Sequence, residues 1–317
     1  MRNGTANLGP AGTCSFLNGT LASLYTNAFN NVNASIYIQY GSTSLGQSQT
    51  ADTQVPYVTY LADLMATSNG SAIDTAALAS LAANDTLPYA CGDVDIPAAL
   101  GTALGLTRLA GTTAGGASCS LGTSGCYNGI ITITNDTSLL YYRSLSGGSI
   151  TSSEYDFFSV VEHETDEVLG TSSCIDTTGS TLADDCGAAT PSAVDLFRYN
   201  AGVLVTTNSA IGRASLPVGA YFSYNGGVNG ADGATYNTVA NGLDYADFTQ
   251  SCAFVQDEYG CPGRSLDITS DGGAEINILE AIGYQDPPPP VPEPSTIALF
   301  AGGLAMLAVA YRPKKRA

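Results

Sequence analysis

A chain of 317 residues with 44% hydrophobic and only 12% charged side chains is too apolar for a disordered polymer and too sparsely charged for a coiled coil. Its length suffices for one good core or two small ones. The net charge of −18 is unevenly laid out, with four of the ten basic residues (Arg312, Lys314, Lys315 and Arg316) in the last six positions. The body before Pro287 then holds six arginines and no lysine. Such a surface repels polyanions, which excludes nucleic acid as a partner.

In chain order, "FLNGTLASLYTNAFNNV" (16–32) sets Leu21, Leu24, Tyr25 and Phe29 at helical spacing, and "ASIYIQYG" alternates as a strand ended by Gly41. Helices are expected in "PYVTYLADLMAT", "IDTAALASLAAN" and "IPAALGTALGL", which begin near Pro56, Asp74 and Pro97. "GIITITND" (129–136) reads as a second strand. Thr151-Ser152-Ser153-Glu154 fits a capping box for a helix whose apolar side is Tyr155, Phe158, Val161, Val168 and Leu169, with Gly170 closing it. Short β-like segments follow ("DLFRYN", "GVLVTT", "GAYFSYN"), and "GAEINILEAIGY" ends the body as a helix. No repeat period is visible, and the element order predicts an α+β fold.

Eight cysteines contain no CxxC and no Cys/His zinc spacing. Neighbour pairing, Cys119 with Cys126, Cys174 with Cys186 and Cys252 with Cys261, is the expected disulfide pattern, with Cys14 and Cys91 left over. Disulfides imply folding outside the cytosol.

The C-terminus has three parts. A stiff proline-rich linker covers 286–294, an apolar run of fifteen residues covers 297–311, and a basic tip closes the chain. Fifteen residues are short for a span but can cross with flanking residues snorkelling, and the basic tip would stay cytoplasmic with the body outside. The predicted organisation is a body over 1–285, a linker over 286–296 and a transmembrane segment with its tip over 297–317. "MRNGTANLGPAGTCSF" shows no apolar signal-peptide core, so the expectation is that the start of the chain is truncated or misassigned.

The stretch with chemistry is "VVEHETDEVLGTSSC" (160–174), which holds the single histidine. On a helix His163 and Glu167, four apart, share a face. In H-E-x-x-H two histidines hold zinc and the glutamate polarises water. Here the pattern is H-E-x-x-E. His163 and Glu167 are candidate metal ligands, with Glu164 the candidate general base. Zinc accepts a carboxylate, and oxygen ligands also favour Mn²⁺ or Ca²⁺. Gly170 stands at the glycine of the longer pattern, but Ser173 occupies its third ligand position. A third ligand must then be a carboxylate, a tyrosine or a cysteine. Asp195 and Tyr199 in "PSAVDLFRY" are the candidates, with Cys174 behind them because it would break a disulfide. A plainly solvated acidic helix face is the competing reading. Asp267 and Asp271 in "LDITSDGGAEIN" read as a turn, because the alternating ligands of a Ca²⁺ loop are missing.

The tail, Val291-Pro292-Glu293-Pro294-Ser295-Thr296 followed by the apolar run and basic tip, resembles the bacterial PEP-CTERM sorting signal. That resemblance implies export, an exosortase partner, and delivery to the cell surface or an exopolysaccharide matrix. In the body, "VVEHETDEVLG", "PSAVDLFRYNAG", "AYFSYNGG", "NGLDYADF" and "EINILEAIGY" together resemble a group of PEP-CTERM-bearing, zincin-like metalloproteases. The resemblance covers about residues 16–285. It implies a zincin-like fold with an active-site helix and zinc peptidase activity, with His163 the first ligand, Glu164 the base and Glu167 in the second ligand position. The chain departs from that pattern at Glu167, at Ser173, and at Val194, where such enzymes carry methionine. The alternatives are a catalytically silent zincin-fold surface or matrix protein and an unrelated surface structural protein.

Overall fold

A computed structural model describes residues 2–3, 9–83, 92–175, 190–204, 219–228, 234–237, 243–270 and 272–287. The chain divides into two compact units, Met1–Asp286 and Pro287–Ala317. The predicted apolar span, the motif-bearing linker from 288 onward, Cys91, and Cys186, the expected partner of Cys174, lie outside the described residues. Among the described residues no helix is long and apolar enough to cross a membrane.

The body is a mixed α+β structure. After β1 (Arg2–Asn3), helix α1 (Thr13–Phe16) runs through a π turn (Leu17–Leu21) into α2 (Ala22–Ala28). Leu17, Leu21, Tyr25 and Phe29, spaced by four, form its buried stripe. Strands β2 (Ile36–Gly41), β3 (Gly46–Thr50) and β4 (Asp52–Pro56) follow. Next come α3 (Tyr57–Thr67), α4 (Ala72–Ala83), β5 (Asp93–Pro97) and α5 (Ala98–Ala103). Pro56 and Pro97 immediately precede α3 and α5, with φ near the value a helix start needs.

Beyond these lie β6 (Ala110–Thr113), β7 (Ser118–Ser120), β8 (Cys126–Tyr127) and β9 (Gly129–Thr134). The main sheet has the order β1-β2-β9-β3. β2 pairs parallel with β9, and β3 lies antiparallel along the other side of β9. Ile36, Ile38, Ile131 and Ile133 are buried from this sheet. The expected strands at 36–41 and 129–134 are thus present, but β3, "GQSQT", carries no apolar alternation and gave no sequence signal. Cys119–Cys126 and Cys252–Cys261 are bonded as expected. Cys174 is also disulfide-bonded.

The capping box is corrected by the structure. Thr151 donates its N–H to Glu154 Oε2 (2.8 Å) and accepts from the Glu154 N–H (3.1 Å), so the four residues close a separate turn. Tyr155–Asp156 is a short strand, which follows β10 (Leu140–Tyr141) in chain order and becomes β11. Helix α6 (Phe157–Asp166) starts after it, capped by Asp156, whose carboxylate accepts from the Phe158 and Ser159 N–H groups. Arg143 holds that carboxylate at 2.9 Å. The helix widens into a π turn (Glu167–Thr171) and stops at Gly170, with φ 134°. A Cβ there would stand 2.9 Å from Ile282 Cδ1, so the glycine also admits the closing helix α7 (Ala274–Ile282). Asp267 forms the expected turn, its Oδ1 accepting from the Thr269 and Ser270 N–H groups.

Candidate metal centre

Helix α6 lies against the sheet, and its Val160, His163 and Glu164, with Glu167 at the start of the π turn, line a cleft of about 1330 Å³. Strand β3 forms one wall, and residues 243–264 supply much of the other. His163 Nε2 lies 3.7 Å from Glu167 Oε1 and 3.5 Å from Asp247 Oδ1. Among the described residues these three form the group able to hold a metal ion, their ligand atoms all within 4.8 Å of one another. His163 Nδ1 donates to the Val255 carbonyl at 3.0 Å, which turns Nε2 toward the two carboxylates. Ser48 Oγ donates to Glu167 Oε2 at 2.5 Å, and Gln256 Nε2 donates to Asp247 Oδ1 at 2.9 Å. Each ligand candidate therefore has a partner that orients it.

Glu164 is 5% exposed and its Oε2 has no hydrogen-bond partner. Its neighbour across the cleft is Gly46 on β3, where a Cβ would come within 2.2 Å of Oε1. Glycine there makes room for the carboxylate. Burial, and then the adjacent Glu167 carboxylate, hold the Glu164 carboxyl well above the usual range. Burial opposes ionisation of Glu167 too, but His163 and Ser48 outweigh it and hold that carboxyl low. Burial pushes Asp247 up to about 7, against the pull of His163. Asp244, which accepts from the Ser173 N–H at 3.0 Å, is raised by burial and by Asp247 and Glu167. Burial disfavours the His163 imidazolium, yet Asp247 and Glu167 raise its affinity for a proton well above normal. The site is an excess of carboxylates around one imidazole, a donor set whose charge a divalent cation would balance.

The structure places Asp195 away from the cluster. Asp195 is fully buried and sits in a different network, accepting from Ser173 Oγ (2.7 Å), the Cys174 N–H (2.8 Å), Ser192 Oγ (2.9 Å) and Arg198 (3.4 Å). Those donors tie the end of α6 to the 192–198 segment. Tyr199 is bonded to Ser80, and neither it nor Asp195 joins the cluster. The third member of the cluster is Asp247, from "NGLDYADF". Its one sequence signal is an aspartate among apolar residues, a pattern of burial that needs a partner.

No curated protein and no solved structure matches the chain, and the expected membership of a zincin-like metalloprotease family finds no support in these comparisons. The C-terminus does match. Residues 290–316 fit the PEP-CTERM protein-sorting motif, which is read by exosortase-type enzymes and marks an exported, surface-sorted protein anchored first through its tail.

Proposed function

We propose that the body is a divalent-metal-dependent peptide hydrolase of zincin-like type, displayed at the cell surface by its sorting tail. The observation that carries this reading is the convergence of His163 and Glu167, one helical turn apart, with Asp247 from a distant loop. One imidazole and two carboxylates suit zinc, and also Mn²⁺ or Ca²⁺. When bound, such an ion supplies Lewis-acid polarisation of a peptide carbonyl and of water.

The chain's own groups do the rest. Glu164 takes a proton from the attacking water and returns it to the departing amine. Ser48 and Gln256 hold Glu167 and Asp247 in place. Strand β3 is paired on one side with β9, and its other edge borders the cleft, so an extended peptide can add to it through backbone hydrogen bonds. Association with exopolysaccharide rests on the resemblance of the tail alone.

A second reading has one observation behind it. Burial and the adjacent Glu167 raise the Glu164 carboxyl, which leaves fewer chains with it ionised and favours a metal-binding surface domain without turnover. The test is metal analysis of the full chain purified without added zinc, beside His163→Ala, with hydrolysis of internally quenched peptides. The expected result is one divalent ion per chain, lost in His163→Ala. Turnover should fall on the order of 10²–10⁴-fold in Glu164→Gln, which keeps its metal. Metal without turnover selects the second reading, and a metal-free native chain overturns both.

A further inference from the structure

We propose that the end of the cleft beyond Gly170 is a subsite for a cationic peptide side chain, lysine or arginine, with Asp95 as its buried counter-charge. This rests on the peptide-hydrolase reading and names the substrate class for that site.

Asp95, on β5, is 5% exposed and lines the cleft. Its Oδ1 has no hydrogen-bond partner. In the antiparallel β4–β5 ladder Gln54 stands opposite Asp95 and Asp52 opposite Pro97, so Asp52 lies diagonally across from Asp95 on the same face. Asp52 is exposed and accepts from Thr50 Oγ1 at 2.9 Å. Ser172 and Ser192 add hydroxyls to the same end. Two carboxylates and a polar rim thus meet where no lysine or arginine lines the wall. The arginine of the cleft, Arg264, lies toward the opposite end of α6, next to Gly263, whose N–H bonds the Glu154 carbonyl at 2.9 Å.

A buried acceptor without a donor is costly, and an ammonium or guanidinium group supplies both the donor and the opposite charge. Burial, and then Asp52, push the Asp95 carboxyl up to about 7, although Gln54 and the Ile96 N–H hydrogen-bond it. An inorganic ion fits less well. Among the described residues three ligating groups converge only at His163, Glu167 and Asp247, so this end offers no third one.

The experiment measures fluorescence anisotropy of labelled peptides on the full-length Glu164→Gln chain, which separates binding from turnover. The peptides are identical except for Lys, Arg, Gln or Glu at one scanned position. Lys and Arg peptides should bind on the order of tenfold or more tighter than Gln at one position. Asp95→Asn should close that gap and leave the Gln peptide unchanged. Should Asp95→Asn fail to fold, the exposed Asp52→Asn must narrow the preference instead. Equal binding of all four peptides, no binding, a preference that survives these changes, or displacement of the Lys peptide by calcium would each overturn the subsite. A charge preference that depends on Asp95, in a chain whose wild type hydrolyses nothing, would retain the subsite and refute the hydrolase.

Discussion

The Nδ1 atom of His163 lies 3.0 Å from the carbonyl oxygen of Val255. A carbonyl only accepts, so this nitrogen carries a hydrogen and Nε2 is the atom turned toward Glu167 and Asp247, a ligand atom once it gives up its proton. The adjacent residue, Gln256, is fully buried and donates to Asp247. Two neighbouring residues on one loop therefore orient two of the three ligand candidates. Replacing Gln256 with Leu should weaken metal affinity about 10–100-fold while His163 stays in place. Competition with a metal-binding dye measures this, and unchanged affinity would show that Asp247 needs no such support.

Asp247 and Asp195 should separate cleanly in two assays. Asp247→Asn is expected to abolish stoichiometric metal with a small change in melting temperature. Asp195→Asn breaks a fully buried pair with Arg198 and a set of backbone anchors. It should cost about 3–5 kcal/mol of stability and leave metal content unchanged in the folded fraction. Denaturant titration beside elemental analysis tests both, and the reverse pattern would restore Asp195 as a ligand.

Gly46 tests the pocket of the base. A methyl group at this position collides with Glu164 Oε1. Gly46→Ala should reduce peptide hydrolysis at least tenfold without loss of metal, since neither His163, Glu167 nor Asp247 is displaced directly. Full activity in this variant would mean that the carboxylate has room to work elsewhere.

Acidity at the α4–α7 contact sets a dependence of stability on pH. Burial, then the nearby Asp286 and Asp74, raise Glu280 to about 7, although Ser71 donates to it. An acid whose pKa is higher folded than unfolded binds more protons when folded. Its stabilising effect is full below the unfolded value of about 4.3 and is lost as pH rises toward 7. Glu280→Gln should therefore flatten the fall in melting temperature between about pH 5 and about pH 8. An identical slope in the variant would assign the dependence to other carboxylates.

Much of the fold was legible because its signals were local. The buried spacing of Leu21, Tyr25 and Phe29, the isoleucines of β2 and β9, and the stop at Gly170 follow from periodicity and glycine geometry. The start of α6 was misplaced because Thr151–Glu154 and Asp156 offer rival caps, and Arg143, distant in sequence, favours Asp156. For the site, the helical pair His163 and Glu167 was readable, since four-residue spacing guarantees a shared face. Asp247 was not, because its approach depends on the tertiary path of a loop. Asp195 lies closer in sequence, and what keeps it out of the cluster is its set of hydrogen-bond donors, which sequence does not reveal.

Cys252 and Cys261 are joined across the stretch that holds Val255 and Gln256. Thiols stay unpaired in a reducing cytosol, where that stretch has more conformations open to it and holds the imidazole and Asp247 less firmly. Oxidation after translocation removes that freedom. The firmness with which this loop holds His163 and Asp247 is thereby coupled to compartment, and is greatest where an exported chain meets oxidising conditions.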